Sequence, residues 1–350
     1  MSDKTIIATR WQELERRADC SIFLSWQWIG NWLDLVTAPI YLVESYQDGN
    51  IVGLGFFVEK TRKAFGLYPV KQWWLHRTGH QQQDQIWIEY NDFLLAVENK
   101  DTVRQQMVMA VSEYMAAGDE VIIGLSEQKV LNAFSGGFTD NRDLILSKGF
   151  LVDFNLVNND YFTDVLSKNY RYQIKRSEKL LKKQGRLDFR VVTDSKAIEA
   201  LLPEIAQLHI KRWQNTEEGS GFNNCVFLAF HKKLIGNNLN DNVQVAVLTL
   251  NDENIGYLIN FVYKGTVSFY LSALSDNFDT KIKLGLLLHS KAILYYLSRK
   301  MKKYDLLAGE AQYKRSLSNK TYTLDIKCFL PSFIFKTKTM LIKYASPKFM

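Results

Sequence analysis

The sequence predicts an α/β protein built as two domains in tandem, each a mixed sheet flanked by helices. Three observations carry that expectation. Stretches rich in β-branched and aromatic residues alternate with Pro-free stretches of good helix formers along the chain. Two hairpin patterns, at residues 40–58 and 243–262, each place a polar turn between apolar strands: Gln47-Asp48-Gly49-Asn50 in the first and Asn251-Asp252-Glu253-Asn254 in the second. Both continue into a similar run, Asn50 to Gly53 and Asn254 to Gly256, which reads as a faint internal repeat, although polar-turn hairpins share much of this pattern anyway. The third observation is length, since 350 residues suffice for two ordinary domains. The expected division is 1–163 and 164–350.

Taken in order, residues 11–36 are helical in pattern, with Ser25 an N-cap before the stripe Trp28, Ile29, Trp32, Leu33 and Val36. After the first hairpin come a strand-rich region at 72–96, a helix at 102–117 and a buried strand at 121–125. Ser135-Gly136-Gly137 and the polar residues 138–143 read as a loop, and a strand follows at 150–156. Residues 168–186 form a basic helix: Tyr170, Ile174, Ser177 and Leu181 share one face, Arg171, Lys175, Lys179, Lys182 and Arg186 another, and Gly185 ends it. That basic face is either simply solvated or an electrostatic rim for a polyanion.

Beyond the second hairpin, residues 267–314 read as strand, polar loop, apolar helix opening near Gly285, second strand and charged turn. A helix mouth of this kind presents unpaired N–H groups and the positive end of the helix dipole, which suits a phosphate, although most such units bind nothing. The tail, 315–350, is apolar and basic. Pro331 argues against one amphipathic helix on a membrane surface, so a strand packed on the second domain is expected.

Composition narrows the function. The chain is 47% hydrophobic and 23% charged with a net charge of +7, which favours an anionic partner. No apolar run approaches a membrane span and the start lacks secretory features, so a cytoplasmic protein is expected, with peripheral membrane contact open. Cys20, Cys225 and Cys328 are too scattered for a disulfide framework or a zinc site, and His76 and His80 do not make a metal pair, so no metal is expected. Phosphate-loop, dinucleotide-binding, serine-elbow and zinc-protease motifs are missing. The polar concentration left is Asp305, Gly309, Glu310, Tyr313 and Lys314 at the end of the last β-α-β unit, where an acid, a phenol and an amine could supply a base, an acid and an anion contact.

An ordered set of residues carries a resemblance. Arg171-Tyr172-Gln173-Ile174-Lys175-Arg176, Gly185, His209 with Arg212-Trp213, Gly221-Phe222, the run from Tyr270 to Asp276, Lys283-Leu284-Gly285, Tyr304-Asp305, Gly309-Glu310 and Tyr313-Lys314 together resemble the CelD-type branch of the GNAT acyltransferase superfamily, associated with polysaccharide biosynthesis. Phe23, Ser25, Trp28, Trp32 and Tyr90-Asn91-Asp92 fit it in the first half. The chain is similar, more distantly, to Fem-type aminoacyltransferases, which are tandem GNAT domains with one working site.

The resemblance implies two GNAT-like domains, only the second holding a donor, with acetyl-CoA or another acyl-CoA as co-substrate. Its pyrophosphate would lie on Lys281, Lys283, Leu284, Gly285 and Leu286, and its thioester beside Ser272, Ala273 and Leu274. Glu310 would be the base, Tyr313 the acid and Lys314 a cation for the tetrahedral intermediate. Asp305, one strand-length earlier, is catalytic or structural, and His209, Arg212 and Trp213 would face the acceptor. The implied activity is N-acylation of a sugar, nucleotide-sugar or cell-envelope precursor. Two rivals stay open: an aminoacyltransferase using aminoacyl-tRNA, and a non-catalytic scaffold in polysaccharide assembly. One departure stands out, because the family's loop carries several glycines and this one has only Gly285.

Overall fold

The computed structural model describes residues 3–64, 67–116, 118–216, 219–238, 241–331 and 342–345. The fold class is the expected one: α/β, with two mixed sheets, each flanked by helices. The chain divides into two compact units, Met1–Ser147 with Thr323–Met350, and Lys148–Tyr322.

The first unit opens with α1 (Asp3–Arg17) and α2 (Trp26–Leu33). Ser25 caps α2 as expected, its side chain accepting from the Trp28 N–H, but residues 11–36 make two helices instead of one. Strands β1 (Ile40–Gln47), β2 (Asn50–Ala64) and β3 (Tyr68–Leu75) form an antiparallel meander. Asp48 and Gly49 both sit at positive φ, 50° and 79°, as a tight hairpin with right-handed strand twist requires. Then come α3 (Gln81–Asp84), β4 (Leu94–Leu95), α4 (Lys100–Tyr114), β5 (Glu120–Ser126), α5 (Gln128–Gly137) and β6 (Phe138–Ile145). The Ser135-Gly136-Gly137 stretch, expected to be loop, is the last turn of α5, and the polar residues after it are an edge strand.

The second unit holds β7 (Lys148–Asp153), α6 (Tyr161–Asp164), α7 (Lys168–Lys182), β8 (Leu187–Val192), α8 (Ser195–Trp213), α9 (Cys225–Gly236), β9 (Val243–Leu250), β10 (Glu253–Tyr263), β11 (Thr266–Leu274), α10 (Leu284–Ser298), β12 (Lys303–Ala308), α11 (Gln312–Leu317) and β13 (Lys320–Thr323). Its strand order is β13-β7-β12-β11-β10-β9-β8. On α7, Ile174, Ser177 and Leu181 are buried and Lys175, Lys179 and Lys182 exposed, as expected, but the helix ends at Lys182 and leaves Arg186 beyond it, and Arg171 is half-buried, donating to the Phe162 and Leu166 carbonyls.

Two boundaries differ from expectation. The chain after Thr323 returns to the first unit as β14 (Asp325–Pro331) and β15 (Ile342–Ala345), so the tail does not pack on the second domain. The reason is a vacant slot in the sheet: β14 pairs antiparallel with both β5 and β6, and buries Ile326, Cys328 and Phe329, the last ring 5.6 Å from Phe134. Likewise β7 pairs with β12, which moves the division from 163/164 to 147/148. The remainder of the tail, 332–341 and 346–350, lies outside the described residues.

The repeat suspected from the hairpins is visible as topology. The order β1-β2-β3, helix α4, β5 matches β9-β10-β11, helix α10, β12: an antiparallel meander, a crossover helix, then a parallel strand beside the third. The two copies differ where the parallel pair separates. In the first unit, β3 and β5 pair over Gln72–Trp74 and Glu120–Ile122, and Asn91 then bridges them. Its Nδ2 donates to the Leu75 carbonyl at 2.7 Å and the Gly124 carbonyl at 3.1 Å, its N–H donates to Leu125, and its Oδ1 meets the buried His76 ring at 2.9 Å. Every polar atom of this plug is used on a strand end.

Candidate active site

In the second unit no such plug is present among the described residues. Parallel pairing of β11 with β12 covers Thr266, Val267 and Ser268 against Lys303, Tyr304 and Asp305, and stops there. Strand β11 runs on to Leu274 while still paired with β10 on its other side. An extra residue, Tyr270, is inserted where Asn260 pairs with Phe269 and Ile259 with Leu271. Such a bulge re-aims side chains and sharpens the local twist. Phe269 therefore turns to α10, its ring 4.5 Å from His289, whereas Tyr270 turns to α9, where it faces Phe227 and His231.

Strand β12 leaves on the other side. Leu307 takes φ 60°, a left-handed conformation costly for a leucine, and its N–H donates to Asp305 Oδ1 at 2.9 Å. Lys314, from α11, donates to the Leu307 and Ala308 carbonyls at 3.3 and 2.6 Å and so ties the strand end to the helix that follows. The strands therefore part, with the edge of β11 from Phe269 to Leu274 on one side and Leu307 to Gly309 on the other, and the buried Phe269 and His289 rings pack together at this opening between strands.

Around His289 lies a closed hydrogen-bonded core. Tyr304 is fully buried and donates its hydroxyl proton to Asn260 Oδ1 at 3.2 Å, so the 3.2 Å contact with His289 Nδ1 requires the imidazole to donate. Burial, with the Lys314 and Arg212 charges added, brings the His289 pKa down to about 3, which keeps the ring neutral. Tyr313 stacks on that ring with centroids 5.4 Å apart. Burial lifts its hydroxyl to about 12, partly offset by Arg212, so it remains a proton donor at any working pH.

The residues singled out from sequence separate into groups. Tyr313 stacks on His289, and the Arg212 charge reaches both rings without contact. Lys314 is committed to two carbonyls. Asp305 is fully buried and accepts from the Tyr322 hydroxyl at 2.6 Å as well as from the Leu307 N–H, so it shapes the end of β12. Glu310 stands outside in solvent, 3.7 Å from Lys148 and 4.0 Å from Arg315. His209 is stacked on Trp213 at 5.8 Å and bonded to Ser220 at 2.8 Å, and burial together with Arg212 brings its pKa down to about 4.

The loop before α10 is tighter than a wide phosphate cradle. Lys281 N–H is already accepted by Asp279, and Lys283 N–H by Ser177 Oγ on α7 at 2.8 Å, while Arg176 donates to the Lys281 carbonyl at 2.9 Å. Leu284 and Leu286 are core residues. A Cβ on Gly285 would stand 3.1 Å from Leu274, so this glycine lets the helix approach β11 closely. The amides of Leu284, Gly285 and Leu286 remain as first-turn donors, for which the helix itself has no acceptor. A phosphate therefore fits here with a narrow set of donors.

Sequence reasoning gave His289 and Asn260 no part in the site, and it placed Tyr304 only in the resemblance and Ser177 only on the buried face of α7. A signal existed for the first: His289 is the one ionisable residue in the apolar run from Leu284 to Ser290. Among the described residues there is no cluster of potential metal ligands, and no helix is long and apolar enough to cross a membrane.

Residues 168–315 match the model of the acetyltransferase (GNAT) domain. No curated protein sequence matches the chain. Solved structures extend the fold likeness over nearly the whole chain. FemX aligns with a TM-score of 0.60 at 10% identity over 92% of this chain and 96% of its own. The C-terminal domain of an Agrobacterium fabrum protein described as a lysylphosphatidylglycerol synthetase gives 0.57 at 11% identity, over 93% and 92%. L-PGS from Bacillus licheniformis gives 0.56 at 12%, over 92% and 90%. At such identities the likeness is one of fold.

Proposed function

We propose that the chain is an N-acyltransferase working in the second unit, moving an acyl group from an acyl-CoA, most simply acetyl-CoA, to an amine of a sugar, nucleotide-sugar or cell-envelope precursor. The observation that carries this reading is the separation of β11 from β12 after Ser268 and Asp305, inside the stretch that matches the acetyltransferase domain, with Tyr313 stacked on His289. The exposed backbone edge of β11 beyond the pairing offers N–H and C=O groups to an extended, amide-bearing donor arm. The first turn of α10 offers N–H groups to its phosphates.

In the reaction, the acceptor nitrogen attacks the thioester carbonyl. The new C–N bond forms, the C–S bond breaks, the ammonium loses a proton and the thiolate takes one. Tyr313, held neutral, supplies the thiolate's proton and regains one from water. The β11 amides lie where they can stabilise the carbonyl oxygen as it becomes negative. Glu310 stands at the rim, and its part is to accept the ammonium proton through water. Asp305 and Lys314 hold the end of β12 in shape.

A second reading is favoured by two specific features, the whole-chain likeness to FemX and the exposed lysines of α7, Lys175, Lys179 and Lys182, beside a loop whose amides are partly used. Here the donor is an aminoacyl-tRNA and α7 meets its backbone. Thermal shift against a panel of CoA esters decides: a ligand at about 100 times its Kd stabilises by roughly 2.7 kcal/mol. No shift with any CoA ester, together with salt-dependent retention of tRNA lost on neutralising the three lysines, would replace the first reading by the second.

A further inference from the structure

Among the described residues, the acids near the opening in the second unit are already engaged. Asp305 is spent on Tyr322 and the Leu307 N–H, Glu310 faces Lys148 and Arg315 outside, and Asp276 is paired with Lys211 at 2.7 Å. Lys314 is committed to carbonyls. Arg212 differs from all of these: it is exposed and has no hydrogen bond or ion pair with another described residue. It is carried by α8, which packs on β11, and its charge acts on the buried His289 and on Tyr313. The last turn of α8, which carries it, is tied down by its neighbours, His209 on Trp213 and Ser220, and Lys211 on Asp276 just beyond β11.

A guanidinium presents a planar fork matched to a carboxylate or a phosphate, and a cation beside a neutral, buried surface gains most from a desolvated anion. The direction of approach says which substrate brings that anion. Helix α8 packs against α9, towards which Tyr270 turns, whereas the phosphate-binding first turn belongs to α10, towards which Phe269 turns. Arg212 thus enters from the side away from the donor's phosphates. We propose that Arg212 holds an anionic group of the acceptor, so that the amine acylated here carries its own carboxylate or phosphate. This assignment rests on the acyltransferase reading above.

The test uses the full chain, wild type and Arg212→Gln, with glucosamine as the neutral amine and muramic acid and glucosamine 6-phosphate as its carboxylate and phosphate counterparts. Binding is measured by calorimetry, and turnover is measured with acetyl-CoA. The expected result is at least tenfold tighter binding and higher kcat/KM for one or both charged amines in wild type, falling to within threefold of glucosamine in Arg212→Gln, with acetyl-CoA affinity unchanged and partial recovery in Arg212→Lys. Which charged amine responds tells a carboxylate from a phosphate. Equal or undetectable binding of all three amines by wild type, or a preference that survives in Arg212→Gln, would overturn the proposal, as would displacement of the charged amine by CoA alone. If no acyl-CoA supports turnover, the acyltransferase reading fails by that result, while the calorimetric arm still decides whether Arg212 selects an anionic amine.

Discussion

Acid should weaken this protein well before its carboxylates titrate. Three histidines are buried: His76 in the first unit, His231 and His289 in the second. Burial brings them from 6.5 to about 4, about 4 and about 3 respectively. Near pH 5.5 the unfolded chain has protons on these rings and the folded chain has not. Unfolding then takes up protons, and the stability these rings contribute, complete above pH 6.5, is lost as pH falls towards the folded values. Each ring costs about 1.4 kcal/mol per pH unit inside that window. For the second unit, His231 and His289 between pH 6.5 and 4.5 amount to a loss on the order of 5 kcal/mol, comparable with the whole stability of an ordinary domain, and the half-buried His209, also brought down to about 4, adds to it. The assay is urea unfolding of the full chain at half-unit steps from pH 7.5 to 4.5, followed by tryptophan fluorescence, with His231→Gln as the partner measurement. This variant should remove close to one ring's share of the slope, since His231 Nδ1 contacts only the Phe227 carbonyl and no partner is found for its Nε2. A flat midpoint between pH 6.5 and 5, or an unchanged slope in His231→Gln, would refute the argument.

Other outcomes follow from the site. Tyr313→Phe should lower kcat by roughly tenfold to a hundredfold with CoA affinity kept, read by steady-state kinetics and donor titration; no loss places the proton source elsewhere. Glu310→Gln should lower kcat with little change in donor affinity, read by the same kinetics, and an unchanged kcat would make the glutamate a surface residue. Asn91→Ala should cost more than about 3 kcal/mol, because the Leu75 and Gly124 carbonyls and the His76 N–H lose their partner together, each orphan costing roughly 1–3 kcal/mol. Urea unfolding checks it, and a loss under about 1 kcal/mol would show that water replaces the plug.

The sequence by itself determined what local physics controls. Hairpin turns, the Ser25 cap, the buried stripe of α7 and the β-loop-α-β unit around Gly285 were legible because turn chemistry and periodicity act over a few residues. The resemblance carried by the surrounding residues also made Tyr313 and Arg212 candidates for the site. What tertiary structure decided was everything set by partners far along the chain. No local signal says that β14 fills a slot between β5 and β6, or that β7 belongs beside β12, since a strand's place in a sheet is fixed by the edge it pairs with. Nor could spacing show that Asp305 faces inward to Tyr322 while Glu310 faces solvent. The closest pair is Asn91 and His289, both polar residues in apolar surroundings: one closes the gap between parallel strands in the first unit, and the other packs on Phe269 at the gap left open in the second. Composition treats them alike, and only the strands around them, paired on or parted, give them different work.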